Sequence, residues 1–382
     1  MSEDGEYLKR ALDLAPRIRE AGPTIESIGQ LPPELARELA ENGMFRLLLP
    51  RSLGGAQLEL PDYLEIIQVI GEADGSTGWC VSQGAVYADL APAFPDETAQ
   101  EIWGSDPYAV VATGVPLRSS LRRVDDGYRL SGHWRFASGC LHATWLSAMA
   151  PLREEAAPAA GRAAPGTMYC LLPRSAATVI AAWDVRGMHG TGTHEYTVDD
   201  LPIPERRVMP LAAAASASGI GIQLLFAAGF AAVGLGIARH ALDELESLAQ
   251  GKTPVFSQTK LRDDPLVQSE IAHAEAIWGS ARAFLLEQAR NVCESIRLHG
   301  EVDRDRRARL RLAATHAMRQ SGAAVDRAYN LAGTDGIFAD HPLQRCFQDI
   351  HALTQQHQGR PFHYMIVGQQ LLGLDPTDSR SF

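Results

Sequence analysis

Residues 121–139 read LRRVDDGYRLSGHWRFASG, and this stretch carries the signature of a β-hairpin. The triplet Asp125-Asp126-Gly127 separates the run that ends at Val124 from the run that begins at Tyr128. An Asp-Gly pair between two such runs is a preferred sequence for a tight turn that joins antiparallel strands. The stretch therefore predicts two paired strands near the middle of the chain.

The same strand-like sequence pattern continues on both sides of the hairpin. Short apolar runs such as Tyr108–Ala112 and Met168–Leu172 are separated by turn residues, and long helical periods are lacking from about residue 106 to about 210. We therefore predict a β domain over residues 106–210.

Helical patterns flank this β domain. Over residues 1–105, apolar residues recur at helical spacing, for example between Leu35 and Met44. The region 211–382 is predicted to contain four long helices joined by short polar loops, which is typical of a four-helix bundle. The periodic stretches behind this prediction are 216–250, 265–298, 304–331 and 342–372. The chain thus has the fold class α+β, in the unusual order of helical domain, β domain and helical bundle.

Composition and charge limit the partners of the protein. A formal net charge of −11 argues against nucleic acid, since phosphate binding requires clustered Lys and Arg. Five cysteines without a CxxC pair predict reduced thiols in the cytoplasm, and neither disulfides nor a metal site. The apolar run Leu211–Ala238 is rich in Ala, Gly and Ser, so we expect a buried bundle helix and no membrane span.

Three ordered motifs resemble the acyl-CoA dehydrogenase superfamily. They are Leu130–Gly139 (LSGHWRFASG), Trp183–His194 (WDVRGMHGTGTH), and Gly336-Ile337-Phe338 with Pro342, Arg345 and Asp349. The resemblance covers nearly the whole chain. It implies an N-terminal α domain, a middle β-barrel-like domain and a C-terminal four-helix bundle.

One departure from the dehydrogenases concerns their catalytic base. Those enzymes use a glutamate to abstract the proton beside a thioester carbonyl, commonly eight residues after the aspartate of the last motif, and here that count leads from Asp349 to His357. The alternative glutamate position, on the first bundle helix, aligns with Ile222 or Gln223. Neither place holds a carboxylate, whereas an imidazole can both donate and accept protons near neutral pH.

A histidine at this position resembles the group D two-component flavin-dependent monooxygenases, above all the phenol and steroid-ring hydroxylases. The resemblance implies an oxygenase component that takes reduced flavin from a separate flavin reductase. With O2 this flavin forms a C4a-hydroperoxide, which transfers one oxygen atom to an aromatic, polycyclic or amine small molecule. FMN and FAD both stay open, with reduced FMN favoured. A homotetramer is also implied.

The same resemblance assigns candidate flavin contacts. Ser138 aligns with a hydroxyl residue at the N5 edge of the flavin, where it would act as a fixed hydrogen-bond donor, or it merely closes a turn beside Gly139. Phe136 aligns with an aromatic residue that packs on the flavin ring. Because strand side chains alternate, Trp134, Phe136 and Ser138 are expected on one face, although Trp134 is equally compatible with the core.

Five further residues complete the set of candidates. Thr191 and Thr193 are expected near the flavin through the turn that contains them, and Arg262 near the flavin phosphate or ring carbonyls, unless it pairs with neighbouring aspartates. His357 is expected to orient the oxygenated flavin or to handle a substrate proton; its alternative is an ordinary histidine at a helix end. His142 faces the substrate or caps its loop.

Two other functions compete with the monooxygenase. An FAD-dependent acyl-CoA dehydrogenase with an unrecognised base predicts a yellow protein that an acyl-CoA bleaches. A catalytically silent flavin- or ligand-binding scaffold of the same fold predicts no flavin chemistry.

Overall fold

The computed structural model describes residues 3–153, 166–211 and 219–377. Within these ranges, helices come first along the chain, strands follow and long helices come last. This is the predicted order of elements.

The N-terminal part is a cluster of helices. The elements are α1 (Glu3–Ile28), α2 (Pro33–Glu41), α3 (Leu60–Ala73), α4 (Gly75–Ala88) and α5 (Asp96–Ala99), followed by a π-helical turn (Gln100–Gly104). Helix α4 begins at a capping residue, because Asp74 Oδ1 accepts hydrogen bonds from Thr77 N at 2.7 Å and Thr77 Oγ1 at 2.8 Å.

Seven strands form a mixed sheet in the middle of the chain. They are β1 (Val111–Val124), β2 (Gly127–Ala137), β3 (Trp145–Pro151), β4 (Thr167–Pro173), β5 (Thr178–Ile180), β6 (His194–Ile203) and β7 (Val208–Pro210), in the order β5-β6-β2-β1-β3-β4-β7. Strands β1 and β2 form the predicted hairpin, with Val124 opposite Gly127. The first residues of β1, Val111 to Gly114, instead pair with β3 in parallel, so β1 joins the two halves of the sheet.

Long helices make up the C-terminal part. They are α6 (Ile222–Gly251), α7 (Pro265–His299), α8 (Arg304–Ala332), α9 (Pro342–Gln355) and α10 (Phe362–Leu371). The expectation of one helix over 342–372 is wrong, because a 3-10 segment, His357–Gly359, separates α9 from α10. Pro361 explains the break, since proline lacks a backbone N–H and disfavours helical geometry in the preceding residue.

Helix α6 is the centre of the molecule. It packs so closely on α3 that a Cβ atom added to Gly236 would lie 2.4 Å from Gln68 O. Helix α6 is also long and apolar enough to cross a membrane, but 89% of its most apolar window is buried inside the protein. This agrees with the expected bundle helix, while residues 212–218 of the apolar run lie outside the described residues.

Candidate active site

Three hydroxyl side chains form a buried row where β2 ends and the loop before β6 passes it. Ser138 Oγ lies 2.8 Å from Thr193 Oγ1, which lies 2.6 Å from Thr191 Oγ1. The indole nitrogen of Trp79 is 3.1 Å from Ser138 Oγ at one end of the row. At the other end, Thr191 Oγ1 lies 2.7 Å from the carbonyl oxygen of Met188. The three hydroxyl residues were predicted as flavin contacts, and the fold brings them together.

The two ends of this hydroxyl row fix the direction of its hydrogen bonds. Met188 O can only accept, so the Thr191 hydroxyl donates to it, and the hydrogen between Thr191 and Thr193 belongs to Thr193. The hydrogen between Thr193 and Ser138 then belongs to Ser138. Since Ser138 Oγ also accepts from the Trp79 N–H, it keeps one lone pair and no free hydrogen. The expectation that Ser138 offers a ligand a donor is therefore replaced by that of an acceptor.

Phe136 breaks the strand pattern immediately before the hydroxyl row. Its φ angle is +58°, and 48% of its surface is exposed, whereas Trp134 is fully buried. The pairing of β2 with β6 shifts register between Trp134 and Ala137, which is a bulge. The prediction that Trp134, Phe136 and Ser138 share one face is therefore wrong. A bulky residue at positive φ is strained, and such strain is found mainly where a ligand binds.

Trp134 has the structural role that the sequence left open. It stacks on Tyr196 with ring centres 5.1 Å apart, and its indole N–H donates to Met149 O at 2.9 Å. No part of Trp134 is left for a flavin contact in this arrangement.

A buried ion cluster holds the loop that carries Thr191 and Thr193. Asp349 on α9 accepts a hydrogen bond from Met188 N at 2.5 Å, across 161 residues of sequence. Arg345, one turn earlier, lies 3.7 Å from Asp349 and also contacts Asp74, the capping residue of α4. Arg345 thus connects the loop before β6 to the helix that carries Trp79.

The charges of this cluster are strongly coupled. Burial raises the pKa of Asp349 to about 7, although Arg345 and the Met188 N–H oppose the shift. Burial alone would lower the pKa of Arg345, but the carboxylates of Asp74, Asp349 and Glu26 outweigh it, so the pKa is raised. Arg345 therefore stays charged in the cluster.

Aromatic rings line α4 and α6 beside the hydroxyl row. Trp79 stacks on Phe230 with ring centres 3.7 Å apart and planes parallel within 1°. Phe230 stacks on Phe226 at 5.6 Å, and Tyr87 packs against Phe226 at 5.4 Å. The rings form a buried row that leads from Ser138 along the first turns of α6.

The two segments aligned with the dehydrogenase bases meet at the start of α6. Gln358 Nε2 donates to Gln223 Oε1 at 2.7 Å, and Gln358 Oε1 accepts from Arg311. Arg311 is fully buried, and burial lowers its pKa to about 9. His357 is exposed, and its ring packs on Phe362 at 5.2 Å. The side chains that meet here are thus two amides and a cation, with an imidazole beside them.

Comparisons with known proteins agree with this geometry. Two family models match, "Acyl-CoA dehydrogenase, N-terminal domain" over residues 13–103 and "Acyl-CoA dehydrogenase, C-terminal domain" over residues 228–360. Indole-3-acetate monooxygenase of Pseudomonas putida is 34% identical over 345 residues, which are 88% of this chain and 85% of that protein. The chain belongs to the acyl-CoA dehydrogenase family.

The branch within the family follows from the relatives. The flavin-dependent monooxygenase, oxygenase subunit HsaA, of Mycobacterium tuberculosis is 27% identical over 392 residues, 98% of each chain. A crystal structure of HsaA covers 99% of both chains with a TM-score of 0.87 at 26% identity. This member of the acyl-CoA dehydrogenase family is an oxygenase component of a flavin-dependent monooxygenase, as predicted. The alternatives of a thioester dehydrogenase and a silent scaffold have no such support.

The site of this oxygenase component suits a flavin. A buried hydroxyl oxygen with a free lone pair, Ser138 Oγ, lies beside a strained and exposed aromatic residue, Phe136. The Ser138 oxygen can hydrogen-bond to a ring nitrogen of an aromatic cofactor, and the ring of Phe136 can pack on the flat face of that cofactor. Because these features come from one bulged strand end, a single loop would position both.

Arg262 lies far from the hydroxyl row within one chain. Its guanidinium donates to Gln250 Oε1 at 2.9 Å, near the C-terminal end of α6. Gln250 is 20 residues after Phe230 in that helix, or about 30 Å at 1.5 Å per residue. Asp263 lies 3.6 Å from Arg262, which is the local pairing that the sequence left open. A flavin contact by Arg262 therefore requires a flavin held by another copy of the chain.

His142 lies on the turn after Ser138. Its ring is 5.6 Å from that of Phe45, and a Cβ atom on Gly139 would lie 2.9 Å from the imidazole. Burial lowers the pKa of His142 to about 4, so the imidazole is neutral at physiological pH. Packing on Phe45 supports the structural alternative, and contact with the substrate stays a prediction.

Sequence reasoning missed several members of the site. No local pattern in the sequence indicates that the indole of Trp79 would reach Ser138, 59 residues later. Arg311 lies in the predicted helical stretch 304–331, but nothing in that pattern predicts that it is fully buried. Only the tertiary packing of α8 on α6 explains this burial.

Proposed function

We propose that this oxygenase component hydroxylates an aromatic small molecule, using O2 and reduced flavin delivered by a separate flavin reductase. The observation that carries the proposal is the combination of a hydroxyl row fit for a flavin with the lack of a carboxylate at both dehydrogenase base positions, which are His357 and Ile222 or Gln223. Without a carboxylate at those positions, abstraction of a carbon-bound proton has no base.

In this proposal Ser138 holds the flavin through its free lone pair. A reduced flavin carries a hydrogen on its ring nitrogen N5, whereas an oxidised flavin does not, so an acceptor at this place favours the reduced form. When bound, the flavin supplies the activation of O2 and the transferred oxygen atom. Phe136 would pack on the ring system, and Thr193 and Thr191 keep the Ser138 hydroxyl turned away from it.

His357 would handle a proton of the substrate or of the oxygenated cofactor. Its imidazole is exposed at the end of the segment that also holds Gln358, so it is available to a ligand beside α6. An imidazole can donate a proton in one step and accept one in the next.

The substrate class is proposed from the aromatic row and from one relative. The rings of Phe226, Phe230 and Trp79 form a buried, stacked apolar cluster next to Ser138, and a flat aromatic ligand would extend this stack. The Pseudomonas putida relative is a monooxygenase of indole-3-acetate, which is a flat aromatic molecule. An aromatic or polycyclic substrate is therefore favoured over an aliphatic amine.

We further propose a homotetramer located in the cytoplasm. Large apolar side chains are exposed on the C-terminal part of the chain, and symmetric association would cover them. They include Val255, Phe256, Leu266, Ile337, Phe338 and Leu372. A second copy would also give Arg262 a flavin to contact. Five free cysteines support a reducing compartment. A stable monomer in light scattering would contradict the tetramer.

The deciding experiment mixes the purified protein with anaerobically reduced FMN, or separately reduced FAD, and then with oxygenated buffer. Stopped-flow absorbance follows the return of oxidised flavin. A delay of this return relative to free flavin is expected, longest with the preferred flavin, which we expect to be FMN. Return at the rate of free flavin would contradict the proposal. A yellow preparation that an acyl-CoA bleaches would instead favour the dehydrogenase.

A further inference from the structure

Gln83 lies on the face of α4 that carries the aromatic rings. Trp79, Gln83 and Tyr87 are spaced four residues apart, so their side chains follow one another along one side of the helix. Trp79 stacks on Phe230 and Tyr87 packs against Phe226. Gln83 is therefore one helical turn from each of two aromatic pairs.

The side-chain oxygen of Gln83 is buried without a hydrogen-bond partner among the described residues. Buried polar atoms in proteins are nearly always paired, because an unpaired one loses its bonds to water and gains none. The oxygen itself is not exposed, but the residue as a whole is only half-buried, so a rotation of the terminal amide would bring the oxygen within reach of a ligand. An unpaired acceptor between aromatic rings indicates a partner that brings a donor.

We propose that Gln83 Oε1 accepts a hydrogen bond from an N–H or O–H group on the aromatic substrate, and so selects rings that carry such a donor. This inference rests on the proposed function, because it concerns the substrate of the same site. The chemistry of the substrate follows from two features of this place. The neighbouring aromatic rings favour a flat molecule, and the unpaired oxygen of Gln83 favours a molecule that carries a hydrogen-bond donor.

The selection arises from a difference between two ligands of nearly the same shape. Indole carries a ring N–H, whereas benzothiophene has a sulfur atom in its place and no donor. Binding of benzothiophene leaves Gln83 Oε1 unpaired, and binding of indole satisfies it. One neutral hydrogen bond of this kind changes the ratio of the two dissociation constants by about tenfold.

The test measures both dissociation constants by calorimetry for the wild-type protein and for Gln83→Met, first without flavin and then with FMN. Methionine has a similar length and no strong acceptor. The variant is expected to bind indole about tenfold more weakly and benzothiophene equally well or better. Its melting temperature is expected to rise, since an unpaired buried oxygen has been removed.

Ser82→Ala is the matched control on the same helix. Ser82 Oγ lies 2.8 Å from Tyr63 Oη, on the side of α4 that faces α3. This variant is expected to lower the melting temperature and to leave the ratio of the two dissociation constants unchanged. A changed ratio in Ser82→Ala would show that any disturbance of α4 has the same effect, which would overturn the assignment to Gln83.

Two results would overturn the proposal: an unchanged ratio in Gln83→Met, and a wild-type protein that binds neither ligand. If the unchanged ratio is accompanied by a loss of FMN affinity, the amide contacts the flavin and not the substrate. The delay of flavin oxidation needs no substrate, so it tests the proposed function separately. A normal delay in wild-type protein together with any of these results would reject the role of Gln83 alone.

Discussion

Gln358 Nε2 lies 2.7 Å from Gln223 Oε1, although the two residues are 135 positions apart in the sequence. They come from the two segments that aligned with the alternative bases of the dehydrogenases, and the fold has brought those segments into contact. Gln358 Nε2 donates to Gln223 Oε1, and Gln358 Oε1 accepts from the buried Arg311. The contact between the two segments is thus made by neutral amides, and the exposed His357 lies beside it.

His357→Ala is expected to uncouple flavin oxidation from product formation. Loss of a positioned acid–base group costs about 10²- to 10⁴-fold in the step that it serves, whereas oxidation of the flavin by O2 continues. The measurement is the amount of hydroxylated product per reduced flavin consumed. Because the ring is exposed, the free energy of unfolding should change little.

His351→Ala provides the matched control for this prediction. His351 lies on the preceding helix α9, and its imidazole is 2.8 Å from Asp326. Its replacement should leave the coupling as in the wild type. Equal coupling in the wild type and in His357→Ala would remove His357 from the proposed mechanism.

Ser138→Ala is expected to shorten the delay of flavin oxidation and to destabilise the protein. The substitution leaves the Trp79 N–H and the Thr193 hydroxyl without their partner, which costs about 1–3 kcal/mol of the free energy of unfolding. The delay should fall by about tenfold, the effect of one hydrogen bond. Stopped-flow absorbance and urea denaturation measure the two quantities.

Ser131→Ala on the same strand is the control for Ser138→Ala. Ser131 Oγ accepts from Asp200 N at 2.9 Å on the exposed side of the sheet. The Ser131→Ala variant should keep the full delay of flavin oxidation. A delay in Ser138→Ala that equals that of the wild type would mean that the hydroxyl row has only a structural role.

The sequence predicted the three members of the hydroxyl row as flavin contacts, but neither the row itself nor its direction. The motif resemblance selected Ser138, Thr191 and Thr193, and they do meet. The orientation of the Ser138 hydroxyl depends on Trp79 and on Met188 O, and both contacts are made between distant segments. A resemblance between local motifs carries no information on such contacts.

Strand β2, which leads into the hydroxyl row, shows a case in which the alternation of side chains fails as a predictor. Alternation placed Trp134, Phe136 and Ser138 on one face, but a bulge at Phe136 turned its side chain out. Alternation assumes regular pairing, and bulges are common next to binding sites. By contrast, the break between α9 and α10 could have been read from Gly359 and Pro361, which both disfavour a continuous helix.

Asp349→Leu is expected to destabilise the protein by about 3–5 kcal/mol, because it removes one partner of a buried charge and the acceptor of Met188 N. Asp349→Asn keeps an acceptor oxygen for Met188 N and should cost less. Urea denaturation measures both. The affinity for FMN should follow the same order, since the Met188 carbonyl anchors Thr191. Equal losses in the two variants would contradict the role of the Met188 contact.

His142 should make the protein less stable in mild acid. Burial lowers the pKa of His142 from 6.5 to about 4 in the folded protein. Between these two values the unfolded chain binds a proton that the folded chain does not, so the free energy of unfolding falls as the pH drops from about 6.5 to 4. At pH 5 this one group accounts for about 2 kcal/mol.

His142→Phe isolates this contribution, because it keeps a ring against Phe45 and removes the titration. Urea denaturation of both proteins at pH 7.5 and pH 5 gives four free energies of unfolding. The loss between the two pH values should be about 2 kcal/mol smaller in the variant. Parallel losses would mean that the imidazole is protonated in the folded protein at pH 5. In that case His142 would be hydrated or paired with a ligand group, and the prediction that it faces the substrate would gain support over packing on Phe45.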